Sequence, residues 1–222
     1  MNNRNVRVCL PKAVIFDLGG VIVEWDNSVT YRAIEEEYGV EIDAVKSGLE
    51  ERLPLVQMGL LSEEEWLKDF FRSNGVEPSE GFKGIWGTTF VDARNVDDVV
   101  ALVEELKEKG FKLAALSNIE PSRAVEMRGR EVMRLFDVTV FSCDVGTRKA
   151  SSVGYGGPTG ENIFDLTLER LGLSPTECIH IDDNVECVEA AGEAGIEGIL
   201  YLSPEQLRGE LSLRGLLEPC AA

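Results

Sequence analysis

Four short polar segments of this 222-residue chain come at or just after the ends of apolar runs. In chain order they are residues 16–21, 116–118, 147–149 and 181–184. Together they supply a carboxylate, a hydroxyl with an amide, a cation and an adjacent pair of acids. A carboxylate can act as a nucleophile that forms a covalent intermediate, and paired acids can hold a hard metal ion. The segments therefore indicate nucleophilic chemistry at an acidic, metal-binding centre.

Elements that would position these segments are visible in the apolar pattern. Runs rich in β-branched residues predict five buried parallel strands, at 13–17, 112–117, 138–142, 179–182 and 198–202. Helical patterns at 95–109, 161–171 and 184–194 precede three of them, the first with Asn95 as its N-cap. This alternation is typical of an α/β protein with a doubly wound, mostly parallel sheet and helices on both faces. Since parallel strands end at one edge, the four segments should meet there, at the switch point.

The segment from residue 26 to residue 92 interrupts the alternation. It is predicted to form successive amphipathic helices, one of which begins at Ser62 with a capping box completed by Glu65. Its aromatic residues are interpreted as its own hydrophobic core. Such an insert can close over a ligand and exclude water, and a purely structural subdomain is the alternative. The predicted domains are an α/β core, residues 1–25 and 93–222, and an all-helical cap, residues 26–92.

The four segments in this order, with the helical insert, resemble the haloacid dehalogenase (HAD) superfamily, whose members combine a Rossmann-like core with an inserted cap. The resemblance runs from residue 14 to residue 202, nearly the whole chain. The sequences Asp-Leu-Gly-Gly at 17–20 and Asp-Asp-Asn at 182–184 are similar to those of sugar-1-phosphate phosphatases. They are also similar to those of the N-terminal phosphatase domain of bifunctional epoxide hydrolases.

This resemblance implies a role for each segment. Asp17 would attack phosphorus and form an aspartyl phosphate, which divides hydrolysis into two easier steps. Ser117 and Asn118 would bind a non-bridging phosphate oxygen through the hydroxyl and adjacent backbone N–H groups. Lys149 would offset negative charge on the phosphoryl group. The predicted catalytic residues are thus Asp17, Ser117 and Lys149, and the predicted substrate-binding residues are Ser117, Asn118 and Lys149.

Two features around Lys149 depart from the family pattern. Ala150 follows it where the relatives usually have proline, and a glycine-rich stretch at 151–160 lengthens the next loop. Arg148 is therefore the alternative for the cation. The glycine spacing fits neither a P-loop nor a dinucleotide-binding fingerprint, so the stretch is interpreted as a flexible surface insertion.

The resemblance also implies a Mg²⁺ cofactor, an ion that prefers oxygen ligands in octahedral geometry and usually keeps several waters. The predicted ligands are Asp17, the backbone carbonyl of Gly19 and Asp183, with Asp182 acting through water. Asn184 is interpreted as the cap of the next helix. His180, the only histidine, is predicted to pack in the core.

Gly19 stands where most phosphatases of the superfamily have a second Asp that protonates the leaving oxygen. General acid–base groups contribute about 10²–10⁴-fold to a rate, so this absence needs an explanation. Glu24, Asp26 or water could replace the missing acid. Alternatively, the substrate has a leaving group that departs with little protonation, or catalysis has been lost. Sugar-1-phosphate phosphatases tolerate glycine here, which favours the first two explanations.

The leading interpretation is a Mg²⁺-dependent phosphatase that acts on a small phosphorylated metabolite such as a sugar 1-phosphate. A hydrolytic 2-haloacid dehalogenase is one alternative, because it shares the nucleophile and also lacks the second Asp. That chemistry needs no metal, however, and those enzymes resemble one another in an Asp-x-Tyr-Gly-Thr segment. A catalytically silent phosphate-binding regulatory module is the other alternative.

Composition limits the partners and the compartment. The chain has 22 basic and 40 acidic residues, for a formal net charge of −18. A surface this negative repels nucleic acid and anionic lipid, so neither is an expected partner. No apolar run approaches the roughly 20 residues that span a bilayer. The N-terminus lacks the features of a signal peptide, and five cysteines without CxxC pairing favour free thiols. We therefore expect a cytoplasmic protein, either a monomer or a homodimer.

Overall fold

The computed structural model describes residues 10–24, 26–79, 82, 84–149 and 160–218. Its central sheet has five parallel strands in the order β3-β2-β1-β4-β5. They are β1 (Ala13–Phe16), β2 (Lys112–Ser117), β3 (Val138–Phe141), β4 (Cys178–Asp182) and β5 (Glu197–Leu200). The chain builds β2 and β3 on one side of β1, then β4 and β5 on the other. The switch point therefore lies at the carboxyl end of β1.

Helices cover both faces of the sheet and form a separate group after β1. The first five are α1 (Asn27–Tyr38), α2 (Ile42–Glu50), α3 (Leu53–Gln57), α4 (Glu63–Ser73) and α5 (Ile85–Thr88). The others are α6 (Asp97–Glu108), α7 (Pro121–Gly129), α8 (Ser142–Val145), α9 (Ile163–Leu171), α10 (Val185–Glu193) and α11 (Pro204–Leu213). In the described part of the chain, 3₁₀ helices also span Glu131–Leu135 and Pro175–Glu177. None of the described helices has the length and apolar character needed to cross a membrane.

Alternation along β1 divides the core of the sheet into two hydrophobic clusters. Val14 and Phe16 belong to a cluster that includes residues of α6, α7 and α11. Ala13 and Ile15 belong to another that includes residues of α9 and α10. All four side chains are fully buried, as expected of a central strand that is covered on both faces. The prediction of a doubly wound α/β fold is therefore confirmed.

Each predicted strand is present, with ends that differ by at most two residues. The prediction of Asn95 as a helix cap is wrong. Helix α6 begins at Asp97 with Val96 as its N-cap, because Asn95 forms an antiparallel bridge with Val23. The Val96 N–H also donates to the Ile22 carbonyl oxygen at 2.9 Å, which holds the chain extended before the helix.

The helical segment, residues 27–88, has a hydrophobic cluster of its own that draws on α1, α2, α3, α4 and α5. Its aromatic rings pack against one another, as Trp66 and Trp86 do with centroids 4.9 Å apart. The Glu65 N–H donates to Ser62 Oγ at 3.2 Å, so α4 begins at the predicted cap. Treating residues 26–92 as a distinct cap domain remains a prediction.

Candidate active site

The loop after β1 presents Asp17 at the carboxyl edge of the sheet. The Asp17 N–H donates to the Ile181 carbonyl of β4 at 2.8 Å, which extends the pairing of the two strands by one residue. Beyond Asp17 the chain turns back at once, because the N–H groups of Ile22 and Val23 both donate to the Leu18 carbonyl, at 2.9 and 2.8 Å. Asp17 is consequently held in a tight loop, and its side chain is 10% exposed.

Gly20 lets this loop approach β4. Its φ of +78° lies in the left-handed region, and a Cβ on its backbone would lie 2.1 Å from Asp183 Oδ2. No side chain fits such a gap without displacing the carboxylate. Sequence reasoning assigned significance to Gly19, and it missed this neighbour, whose need for glycine comes from a contact across the site.

Three carboxylates converge next to this loop. Asp17, Asp182 and Asp183 each offer an oxygen, and these oxygens all lie within 4.8 Å of one another. Asp17 and Asp182 are buried, whereas Asp183 is exposed. Like charges this close repel strongly where water is scarce, so the cluster requires cations.

Lys149 supplies one of those cations. Its Nζ donates to Asp17 Oδ1 and to Asp182 Oδ2, each at 2.6 Å, and its side chain is 2% exposed. Lys149 and Arg148 were the two candidates for the cation, and the structure thus places Lys149 in contact with the predicted nucleophile. Arg148 lines the same cavity. Ala150 and nearly all of the glycine-rich stretch lie outside the described residues.

Asn118 holds the lysine in place. Its Oδ1 accepts from the Lys149 N–H at 2.8 Å, and its Nδ2 donates to the Lys149 carbonyl at 2.9 Å. Both ends of the amide are therefore engaged with the backbone of the residue whose ammonium meets Asp17. Since its side chain is occupied in this way, Asn118 would have to make its predicted contact with phosphate through its backbone N–H. Ser117, at the end of β2, is 3% exposed and lines the cavity next to Asp17.

The pKa values of these groups move in opposite directions. Burial raises the pKa of Asp17 to about 7, although Lys149 opposes that rise. Burial would also raise the pKa of Asp182, but the Lys149 ammonium and the His180 contact hold it below its ordinary value. Burial favours a neutral Lys149, yet its two carboxylate partners raise its pKa above the usual value. Lys149 is accordingly a cation, and Asp182 is its ionised partner.

His180 lies behind the cluster, fully buried as predicted. Its Nε2 is 3.1 Å from Asp182 Oδ2, and its ring meets Phe164 edge to face at 5.2 Å between centroids. Burial lowers the pKa of His180, so the imidazole is neutral. The sequence did not predict this contact, which helps to orient Asp182.

A cavity of about 250 Å³ opens over the cluster. It is lined by Asp17, Gly19, Gly20, Asn27, Gln57, Ser117, Asn118, Glu120, Arg148, Lys149, Asp182, Asp183, Asn184 and Cys187. Every predicted site residue is in this set. Gln57, Glu120 and Asn27 were missed, because no motif marks them and only the packing of the helical segment on the core reveals them.

Glu24 and Asp26, predicted as possible replacements for the missing acid, line a different cavity beside Arg123. The Asp26 carboxylate caps α1 by accepting from the Ser28 N–H at 2.8 Å. Within the described part of the chain, the structure therefore does not bring either acid to the cavity over Asp17. Asn184 acts as the predicted cap of α10, accepting from the Glu186 N–H at 2.8 Å.

A family model described as haloacid dehalogenase-like hydrolase matches residues 11–195. The chain belongs to this hydrolase family. It is also 30% identical over 195 residues to the phosphorylated carbohydrates phosphatase of Thermotoga maritima, a match that covers 85% of this chain and 83% of that relative.

Solved structures share the fold of this hydrolase. A HAD-family enzyme of Bacteroides thetaiotaomicron, in complex with magnesium and inorganic phosphate, is 21% identical with a TM-score of 0.62, and the match covers 85% of this chain and 93% of that one. The L-2-haloacid dehalogenase of Xanthobacter autotrophicus, with chloropropionic acid covalently bound, is 22% identical with a TM-score of 0.61, covering 93% and 86%. At these identities the likeness concerns the fold alone.

The chemistry of the hydrolase cluster fits a hard divalent cation. Carboxylate oxygens are the ligands that such ions prefer. The three carboxylates outnumber the single lysine that contacts two of them, so a further cation would offset the excess negative charge. Asp17, Asp182 and Asp183 could hold it, and Gly19, the predicted carbonyl ligand, lines the same cavity.

Proposed function

We propose that this hydrolase is a Mg²⁺-dependent phosphatase that uses Asp17 to hydrolyse a small phosphorylated metabolite. The carrying observation is the shared lysine: Lys149 Nζ lies 2.6 Å from both Asp17 and Asp182 beneath a polar cavity. A lysine in this position offsets the negative charge of the two carboxylates and leaves the cavity above them open. The T. maritima relative, named for phosphorylated carbohydrates, supports the substrate class.

The proposed reaction has two steps. A carboxylate oxygen of Asp17 attacks phosphorus, and the bond from phosphorus to the leaving oxygen breaks with its electron pair going to that oxygen. Water then hydrolyses the aspartyl phosphate to inorganic phosphate and regenerates the carboxylate. The Lys149 ammonium and the Ser117 hydroxyl stabilise charge on the phosphoryl oxygens throughout. Mg²⁺ would supply further positive charge to those oxygens. The groups that would hold it are Asp17, the Gly19 carbonyl and Asp183, with Asp182 acting through water.

The phosphate esters that this site can hydrolyse depend on whether it has a group to protonate the leaving oxygen. Among the described residues that line the cavity, Glu120 is the carboxylate that lies outside the three-acid cluster. Glu120 forms a buried ion pair with Arg123, at 3.6 Å between Oε2 and Nη1. A carboxylate in that position is a hydrogen-bond acceptor, so it does not take over the proton-donating role lost at Gly19. We therefore propose leaving groups that need little protonation, such as the anomeric oxygen of a sugar 1-phosphate.

The test is phosphate release from sugar 1-phosphates, sugar 6-phosphates and an aryl phosphate, each with Mg²⁺ or with EDTA. We expect turnover only with the metal, and faster turnover of the anomeric and aryl esters than of the 6-phosphates. Halide release from 2-chloropropionate, measured in parallel, tests the dehalogenase alternative. Mg²⁺ binding without turnover of any substrate would contradict the proposal and favour the silent regulatory module.

A further inference from the structure

A second polar contact lines the cavity, between the helical segment and the sheet. Gln57 is the last residue of α3, and Glu120 follows β2 as the N-cap of α7. Gln57 Nε2 donates to Glu120 Oε1 at 3.1 Å. The two residues are 8% and 1% exposed, yet both line the cavity that contains Asp17.

Each residue of this pair retains an unused acceptor. Gln57 Oε1 and Glu120 Oε2 are buried without a hydrogen-bond partner in the described part of the protein. Arg123 Nη1 lies 3.6 Å from Glu120 Oε2, beyond hydrogen-bond distance. Buried polar groups are normally paired, so two adjacent exceptions in one cavity call for a donor from outside the chain.

The surrounding contacts fix Arg123, which is the ion-pair partner of Glu120. The Arg123 guanidinium donates to Asn27 Oδ1 at 2.8 Å and to Thr30 Oγ1 at 3.1 Å. It also donates to the Trp86 carbonyl at 3.2 Å and lies over the Trp86 ring. Glu120 is therefore packed against a fixed guanidinium, and both acceptors belong to buried side chains rather than to surface groups.

From this geometry we infer that Gln57 and Glu120 bind hydroxyl groups of the leaving group, so the preferred substrate is a polyhydroxylated, uncharged alcohol esterified to phosphate. This inference rests on the proposed phosphatase function. Two acceptors match two hydroxyl donors, as on neighbouring carbons of a sugar or polyol. A second anionic group would meet the Glu120 carboxylate and be repelled. Sites built to hydrogen-bond a substrate hydroxyl discriminate strongly against analogues that lack it.

The experiment compares two phosphate esters on the same variants. For each protein we take the ratio of kcat/KM for α-glucose 1-phosphate to kcat/KM for 4-nitrophenyl phosphate, which has no hydroxyl on its ring. Gln57→Leu removes an acceptor oxygen and should lower this ratio by about tenfold, near the upper end of what a typical hydrogen bond contributes. Glu120→Gln keeps one acceptor oxygen and loses only the charge, so it should lower the ratio by a smaller factor.

Glu63→Gln is the matched control. Glu63 of α4 also joins the helical segment to the core, accepting from the Ser122 N–H at 2.8 Å and its Oγ at 2.7 Å. It does not line the cavity, so this variant should keep the ratio of the unaltered protein. An unchanged ratio in Gln57→Leu and Glu120→Gln, or an equal fall in Glu63→Gln, would overturn the inference.

A binding measurement separates this inference from the proposed function. Calorimetry with α-glucose 1-phosphate and with inorganic phosphate needs no turnover. Gln57→Leu should weaken the binding of the sugar phosphate about tenfold more than the binding of inorganic phosphate. Equal losses of affinity for the two ligands would overturn the inference. Absence of phosphate release by the unaltered protein would instead count against the phosphatase proposal. If bridging waters occupy the two acceptors and stay there when the sugar phosphate binds, Gln57→Leu should affect both ligands equally, which is the result that overturns the inference.

Discussion

Two parts of the same cavity differ in how their polar groups are paired. At the sheet edge, the ammonium of Lys149 is shared between Asp17 and Asp182, and Asn118 fixes the lysine backbone with two hydrogen bonds. Beside α3, Gln57 and Glu120 share one hydrogen bond, and each keeps an acceptor oxygen that forms no hydrogen bond with the described residues. Under the proposed function, the first group is organised in advance for one reaction, whereas the second is completed by the substrate that enters. We therefore propose that chemistry and selectivity lie on separate residues.

The largest expected effect comes from the nucleophile. Asp17→Asn retains the shape and the Lys149 contact but loses the attacking oxygen, so phosphate release should fall by at least about 10³-fold. Steady-state phosphate release with Mg²⁺ measures this. Activity within tenfold of the unaltered protein would show that the sheet edge is not the reacting part of the cavity.

Removal of the lysine should damage stability as well as rate. Lys149→Met leaves Asp17 and Asp182 buried without their cation, and breaking a buried ion pair costs about 3–5 kcal/mol. Denaturant titration at neutral pH measures the free energy of unfolding. In the background of Asp17→Asn the same substitution should cost less, because one charge has already been removed. Equal costs in both backgrounds would contradict direct coupling between Lys149 and Asp17.

Gly20 and Gly39 allow the effect of backbone strain to be separated from the effect of a steric contact with Asp183. Both have positive φ, +78° and +68°, but a Cβ on Gly39 meets nothing within 4 Å, whereas one on Gly20 meets Asp183. Each Ala substitution should cost about 1–2 kcal/mol in backbone strain. Only Gly20→Ala should also weaken Mg²⁺ binding, by about 10–100-fold, the usual effect of disturbing the groups that position a metal ligand. Unaltered Mg²⁺ affinity in Gly20→Ala would count against Asp183 as a ligand.

Mg²⁺ affinity should depend on pH in a direction set by Asp17. Because burial raises the pKa of Asp17 to about 7, the metal-free protein holds a proton there at pH 6. Mg²⁺ must displace that proton, so its affinity should fall as pH drops below 7, by up to about tenfold per unit. Calorimetry at pH 6, 7 and 8 measures this slope. Asp17→Asn should flatten it, and a slope that survives in that variant would assign the proton elsewhere.

The sequence predicted the sheet edge well for a physical reason. Strand runs are local patterns, and parallel strands must end at the same edge. Polar residues placed after Phe16, Leu116 and Ile181 therefore had to meet, and Asp17, Ser117 and Asp182 line one cavity. The doubly wound fold followed from the same alternation, and the strand order came only from the structure.

Contacts between side chains distant in the sequence could not be predicted in this way. Pairing of Gln57 with Glu120 joins residues 63 apart, and it depends on how the helical segment packs on the core. The closeness of Gly20 to Asp183 likewise depends on the backbone geometry of the loops that follow two different strands. Even the start of α6 was misjudged, because Asn95 pairs with Val23 and does not cap the helix.

Trapping the covalent intermediate tests the central claim most directly. Turnover of an aryl phosphate with Mg²⁺ is stopped by acid within the first turnovers, and the digested protein is examined by mass spectrometry. We expect a phosphoryl adduct on the peptide that contains Asp17, with none in EDTA and none in Asp17→Asn. Phosphate release that proceeds with the adduct on another residue, or at the normal rate in Asp17→Asn, would contradict Asp17 as the nucleophile.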